Sequence, residues 1–270
     1  MKNSFQSFYL DSPLVPGRVF DVFEPSPEVS VRDTALFYVH GGGWRAGSRT
    51  IYHKFMEMLG EKGYFTATTD YRLDAPDAFA QLADVRESFD CFAGMLKEKG
   101  RPCRIAVYGS SAGAHLASLL AFALPGECGE EVSRLKYPEI RPAMAVLQAT
   151  PYDFLPNEWR FPSFWKTMAG IAGAPYEKDP ERYRRLSLKN YVRRDNVPVF
   201  FIEAELEHVF PSDLTLKIAR AHREMGIPSQ WKVYERMEHG FLFELKRPKQ
   251  REAFEDLCKF LEGTLETPLS

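Results

Sequence analysis

Gly109-Ser110-Ser111-Ala112-Gly113 places a serine with glycine two residues to either side. The motif falls where an apolar run over 104–108 gives way to a helical pattern over 112–124. A serine on so sharp a strand-to-helix turn projects its hydroxyl out at the top of a sheet, and a β-carbon at either flanking position would clash. Ser111 is therefore the candidate nucleophile for acyl transfer, and it needs a base to take its proton and a carboxylate to orient that base. Four histidines follow it. His115, one turn into the next helix, reads as packing. His222 sits among charges on a helix and reads as solvated, and His208 offers at most a helper role. His239 lies in the polar loop Arg236-Met237-Glu238-His239-Gly240 after the last strand, where a sheet top would deliver it to Ser111, and it is the candidate base. Position alone leaves the acid open among Glu205, Glu207 and Asp213, just beyond the strand at 197–202, with Asp153 further away. Asp213 also suits a helix start, in competition with Ser212.

The oxyanion formed by attack on a carbonyl needs fixed N–H donors. Ala112, at a helix start, offers one, helped by the helix dipole. His40-Gly41-Gly42-Gly43-Trp44 follows an apolar run at 35–39, and three glycines leave a backbone able to turn sharply and bare the N–H groups of Gly42 and Gly43. His40 is expected to orient this loop through its ring.

The elements that must carry these groups follow from periodicity. Short alternating runs at 4–10 and 18–24 read as antiparallel edge strands. Runs at 35–39, 64–69, 104–108, 143–149, 197–202 and 230–235 read as further strands, those at 35–39 and 197–202 being continuously apolar like strands covered on both faces. Spacings of three and four predict helices over 50–62, 77–99, 212–225 and 250–262. Strands alternating with helices after an antiparallel start imply an α/β fold with a doubly wound sheet of about eight strands. No internal repeat or linker breaks residues 1–270, so a single domain is expected. A helical, lid-like insertion is expected over about 152–196. Trp44, Trp159, Phe164 and Trp165 are the candidate pocket residues, beside Phe161; the insertion's aromatics could equally pack it onto the sheet.

With 44% hydrophobic and 27% charged residues the chain can bury a sizeable core, and its net charge of −2 argues against nucleic-acid or membrane-surface binding. Cys91, Cys103, Cys128 and Cys258 have neither paired spacing nor histidines at ligand distance, so free thiols in a reducing compartment are expected, with no metal. Residues 1–10 lack the charge and apolar pattern of a signal peptide, and no run approaches membrane-spanning length, so a cytoplasmic location is expected.

His40-Gly41-Gly42-Gly43-Trp44, Asp70-Tyr71-Arg72-Leu73, Gly109-Ser110-Ser111-Ala112-Gly113 and His239-Gly240-Phe241 together resemble the α/β-hydrolase fold carboxylesterases. The resemblance is to the hormone-sensitive-lipase-like group and to bacterial feruloyl- and acetyl-esterase-like proteins, and it runs from about residue 35 to the last helix. It implies a cofactor-free serine hydrolase working through an acyl-enzyme. It also implies that the triad acid precedes two apolar residues and a proline, which maps onto Glu207. The family usually has aspartate there, often with a glycine in the turn. Hormone-sensitive-lipase-like members also build a cap from a long N-terminal segment, so a cap here is expected mostly from 152–196. The expected substrate is a short-chain or aryl ester, such as acetyl or feruloyl groups on carbohydrate, with a homodimer allowed as the only protein partner. The alternatives are an arylformamidase-type hydrolase of a formyl amide and a non-catalytic binding protein on the same fold.

Overall fold

In the computed structural model, which describes residues 5–101, 104–156 and 162–268, eight strands form one sheet. They are β1 (Phe5–Tyr9), β2 (Val19–Phe23), β3 (Thr34–Val39), β4 (Thr66–Thr69), β5 (Arg104–Ser110), β6 (Met144–Gln148), β7 (Val199–Leu206) and β8 (Ser229–Glu238). Their spatial order is β1-β2-β4-β3-β5-β6-β7-β8. β1 and β2 pair antiparallel to their neighbours, and every pairing from β4 to β8 is parallel.

The seven helices are α1 (His53–Glu61), α2 (Ala78–Glu98), α3 (Ala112–Phe122), α4 (Pro162–Ala172), α5 (Pro180–Leu186), α6 (Asp213–Glu224) and α7 (Pro248–Leu261), counted among the described residues. They cover both faces of the sheet, which is why the inner strands β3, β4, β5 and β6 are buried at nearly every position. Alternation along each strand divides the interior in two. On β3, Ala35, Phe37 and Val39 join the core shared with α2 and α3, whereas Leu36 and Tyr38 join the core shared with α1 and α7. Phe37 meets Phe89 of α2 edge-on at 5.6 Å. On the opposite face Tyr38 meets Tyr52 and Tyr108 at 3.7 and 4.8 Å.

Some boundaries differ from the periodicity reading for local reasons. β4 begins at Thr66 because the Tyr64 N–H still closes the end of α1 onto the Leu59 carbonyl, at 3.1 Å. β7 runs on to Leu206, past the end of its apolar run at Ile202, and carries Glu203 into the interior. His222, expected to be solvated, is fully buried. It shares one face of α6 with Thr215, Ile218 and Ala219, at steps of three and four. Its Nε2 lies 3.1 Å from Asn196 Oδ1, and burial pushes its pKa down to about 4.

The helical insertion expected between β6 and β7 contains α4, α5 and a 3₁₀ turn at Leu188–Tyr191. Phe154, Met168, Ile171, Leu186 and Leu188 merge with the core under α2 and α3, so the segment is packed onto the sheet domain. Cys91, Cys128 and Cys258 are free thiols, and Cys103 lies outside the described residues.

Candidate active site

Ser111 stands between β5 and α3 with φ 54° and ψ −122°, a conformation an L-residue adopts only when its surroundings impose it. Its N–H donates to the Gln148 carbonyl at 2.9 Å. The flanking glycines are required by close approach. A β-carbon on Gly109 would sit 2.3 Å from the Gly113 carbonyl oxygen, and one on Gly113 would sit 2.1 Å from the Val39 carbonyl oxygen. Neither obstacle is a side chain that can swing away. Gly113→Ala is therefore expected to cost about 3 kcal/mol, the upper end for overpacking, and to abolish activity by tilting α3 off β3. Chemical denaturation and an activity assay on the refolded variant check this.

Three side chains from the ends of three strands meet at this turn. His239, just after β8, places Nε2 2.9 Å from Ser111 Oγ and Nδ1 2.8 Å from Glu207 Oε2. Because a carboxylate only accepts, Nδ1 carries the hydrogen and Nε2 is left to accept from the serine hydroxyl. Glu207 turns its other oxygen back onto its own loop, accepting from the Val209 N–H at 2.7 Å and the Phe210 N–H at 3.3 Å. The Glu207 side chain is 3% exposed and that of His239 is 23% exposed, so the carboxylate is sheltered and the imidazole is reachable. Burial alone would raise the Glu207 pKa, but the hydrogen bonds from His239, Val209 and Phe210 outweigh it and hold the carboxyl below its ordinary value.

The other carboxylate candidates are engaged elsewhere. Asp213 begins α6 at the surface and pairs with Lys217 at 3.2 Å. Glu205 accepts from the Arg236 N–H at 2.8 Å, and Asp153 pairs with Lys189 at 2.7 Å. His208 is exposed.

The glycine loop lies directly against the serine. A β-carbon on Gly41 would come within 2.7 Å of the Ser110 carbonyl oxygen and 3.3 Å of Ser111 Cβ. Gly42 has φ 121°, and a β-carbon there would strike the Ala46 carbonyl oxygen at 2.1 Å. The Gly42 carbonyl accepts from the Arg45 and Ala46 N–H groups at 3.2 and 2.9 Å, so that acceptor is taken up within the loop's own turn. His40 holds the loop as expected: its Nδ1 lies 2.8 Å from the Gly41 carbonyl oxygen and its ring stacks on Tyr71 at 4.4 Å. Burial lowers the His40 pKa, against weaker opposing effects of the Gly41 hydrogen bond and Asp70, which favours a neutral ring donating from Nδ1. As the first residue of α3, Ala112 carries an N–H with no acceptor within its own helix.

Of the candidate pocket residues, Trp44 is placed differently from expectation. It is fully buried at φ 62°, and its Nε1–H donates to His115 Nδ1 at 3.2 Å. His115 Nε2 in turn donates to the Leu186 carbonyl at 2.7 Å. With the ring so committed and burial lowering its pKa to about 4, His115 is a neutral strut between the glycine loop, α3 and α5. Phe164 is half-buried, 6.1 Å from Trp44 and 5.0 Å from Phe210 between ring centroids. Trp165 packs on Tyr183 and lines a groove of about 500 Å³ with Tyr176 and Pro76, whose lining includes none of Ser111, Glu207 and His239. Trp159 and Phe161 lie outside the described residues. Phe210, whose ring is 5.9 Å from His239, is a neighbour of the relay not foreseen from sequence. The signal available for it was its place three residues after Glu207, in the turn that folds back over the carboxylate.

Among the described residues no group of three His, Cys, Asp or Glu side chains could hold a metal ion, and no helix is long and apolar enough to cross a membrane. Over 100 residues the chain is 33% identical to a probable carboxylic ester hydrolase, LipM, of Mycobacterium tuberculosis, a match covering 35% of this chain and 23% of that protein. It is 25% identical over 233 residues to an acetylxylan esterase of Xylanibacter ruminicola, covering 85% of this chain and 45% of that protein. The chain thus spans less than half the length of both relatives. In three dimensions it matches esterase 2 of the planctomycete Thermogutta terrifontis, in its propionate-bound structure, with a TM-score of 0.73 and 20% identity over 93% of this chain and 91% of that one. This likeness, with the sheet order and the strand–serine–helix turn, establishes the α/β-hydrolase fold. The BD-FAE family model matches residues 20–221, which include the glycine loop, the serine turn and Glu207 and end short of His239, and the chain belongs to that family.

Proposed function

We propose that this protein hydrolyses short-chain or aryl carboxylic esters through an acyl-enzyme on Ser111. The observation that carries this reading is the unbroken relay Ser111 Oγ–His239–Glu207, at 2.9 and 2.8 Å, mounted on a strained turn. The names of the two relatives, both ester hydrolases, support the same class. In this reading Ser111 Oγ attacks the ester carbonyl carbon while its proton passes to His239 Nε2. The imidazolium that forms is stabilised through Nδ1–H by the ionised Glu207. The oxyanion accepts hydrogen bonds from the N–H groups of Gly42, Gly43 and Ala112, which are fixed before the reaction begins. The tetrahedral intermediate expels the alcohol, which takes the proton from Nε2. Water, activated by the same nitrogen, then releases the acid. The reaction needs only these groups and a small-molecule ester.

Phe164, Phe210 and the insertion that carries Phe164 form the apolar side of the site in this reading, with the insertion acting as a lid. A panel of nitrophenyl esters from acetate to long acyl chains, run beside methyl ferulate and N-formylkynurenine, tests the substrate class. Activity is expected on the short or aryl esters. Turnover of N-formylkynurenine alone would replace the ester reading with the formamidase one. Phe164→Ala is expected to change the ratio of kcat/KM between esters by about 10-fold, the worth of a lost apolar contact of one to two kcal/mol. A variant that is destabilised but keeps the wild-type ratios would place Phe164 in packing instead.

A further inference from the structure

β7 delivers an acidic side chain to the interior immediately behind the Glu207 turn. Glu203 is 1% exposed, and its Oε1 lies 2.6 Å from the hydroxyl of Thr215 in the first turn of α6. The same hydroxyl lies 2.9 Å from the Ser212 carbonyl oxygen and 3.1 Å from Trp231 Nε1 of β8. A threonine hydroxyl has one hydrogen and two lone pairs. The Ser212 carbonyl can only accept, so it takes the hydrogen. Trp231 Nε1–H can only donate, so it occupies one lone pair. The third partner must then donate as well, and a glutamate side chain donates only when protonated.

The charges around Glu203 agree with this assignment. Val233, its register partner on β8, and Trp231 and Thr215 are uncharged. The titratable group that acts on Glu203 is Glu207, itself negative, with His239 beyond it. No cation compensates an ionised Glu203 there among the described residues. Burial raises its pKa most and Glu207 adds to it, holding the group at about 8; only a Thr215 hydroxyl donating to the ionised carboxylate would oppose the rise.

We propose that Glu203, held as a neutral carboxylic acid, is a positioning residue that ties α6 to β7 and so fixes the intervening turn bearing Glu207, and that its ionisation limits activity on the alkaline side. This rests on the triad reading above. Glu203 and Thr215 clamp the two ends of the segment 204–214, within which Glu207 must aim one oxygen at His239 and the other at its own backbone. Ionisation would remove the proton donated to Thr215 and set a second carboxylate against Glu207. The sign follows from the raised pKa: the stabilising contribution is present in acid and is lost as pH rises through about 8.

The test compares wild type, Glu203→Gln and Glu203→Leu in ester hydrolysis, thermal unfolding and difference infrared spectroscopy across pH 6 to 10. Glutamine retains a donor toward Thr215 and cannot ionise. It is expected to keep most of the wild-type kcat near neutrality and to move the alkaline limb up by at least about one pH unit, with its Tm advantage over wild type growing as pH rises toward about 8 and levelling off above it. Leucine supplies no donor and is expected to lower kcat by about 10- to 100-fold with little change in KM. Wild type at pH 7 should show a protonated-carboxyl stretch that is absent from Glu203→Gln. An alkaline limb common to wild type and Glu203→Gln, or the absence of that band, would overturn the proposal. Absence of ester hydrolysis in wild type would instead overturn the triad reading, since the infrared band and the pH dependence of Tm read Glu203 without any substrate.

Discussion

Ser111→Ala is expected to reduce ester hydrolysis by about 10⁴- to 10⁶-fold while leaving the fold intact. The size of the loss follows from the nature of the step removed. Without Oγ no acyl-enzyme forms, and His239 can at best activate water from a position built to serve the serine. The glycine loop and the Ala112 N–H would still polarise a bound carbonyl, which accounts for activity remaining above the uncatalysed rate. Stability should hold or rise slightly, because alanine at φ 54° suffers the same backbone strain as serine while losing only an accessible hydroxyl. Steady-state kinetics and thermal unfolding of the variant measure both outcomes. A loss of activity accompanied by unfolding would have to be attributed to the fold.

Glu207→Gln is expected to lower kcat by about 10³- to 10⁴-fold, through the tautomer of His239. In the wild type the carboxylate accepts from Nδ1–H, which leaves Nε2 free to take the serine proton. The Val209 and Phe210 N–H groups call for an oxygen at the other branch of the side chain. A glutamine satisfying them must present its NH₂ to His239, forcing Nδ1 to accept and placing the hydrogen on Nε2, where it blocks proton transfer from Ser111. Asp213→Asn should leave kcat unchanged, because Asp213 is an exposed partner of Lys217 at the start of α6. Kinetics of the two variants side by side would therefore assign the acid. The opposite pattern would transfer that role to Asp213.

The legibility of this site differs residue by residue for physical reasons. Ser111 and the glycine loop are legible because tight turns admit few residue types, and the contacts a β-carbon would make at Gly109, Gly113 and Gly42 show why. His239 is legible from its place after the last strand. The acid is harder, since Glu205, Glu207 and Asp213 fall in one short stretch. What separates them is where the backbone turns, with the Val209 and Phe210 N–H groups gathering around one oxygen of Glu207. Trp44 directly follows the glycines, the position of a pocket residue, yet its left-handed backbone directs the ring inward onto His115. His222 was obscured by Arg220 and Arg223, which occupy other faces of α6 from the stripe that buries it. Glu203 is hard to read because an ionisable residue marks the end of an apolar run, although the strand itself continues to Leu206. Burial of a carboxyl becomes intelligible only once Thr215 and Trp231, distant in sequence, are brought beside it.

The central claim is that Ser111 is a nucleophile activated by His239 and Glu207. It is tested most directly by reacting the wild-type protein with a fluorophosphonate and locating the adduct by mass spectrometry. One phosphonyl group per chain is expected, on Ser111, forming rapidly in wild type, far more slowly in Glu207→Gln and not at all in Ser111→Ala. An unmodified Ser111, or an adduct on another residue, would contradict the account.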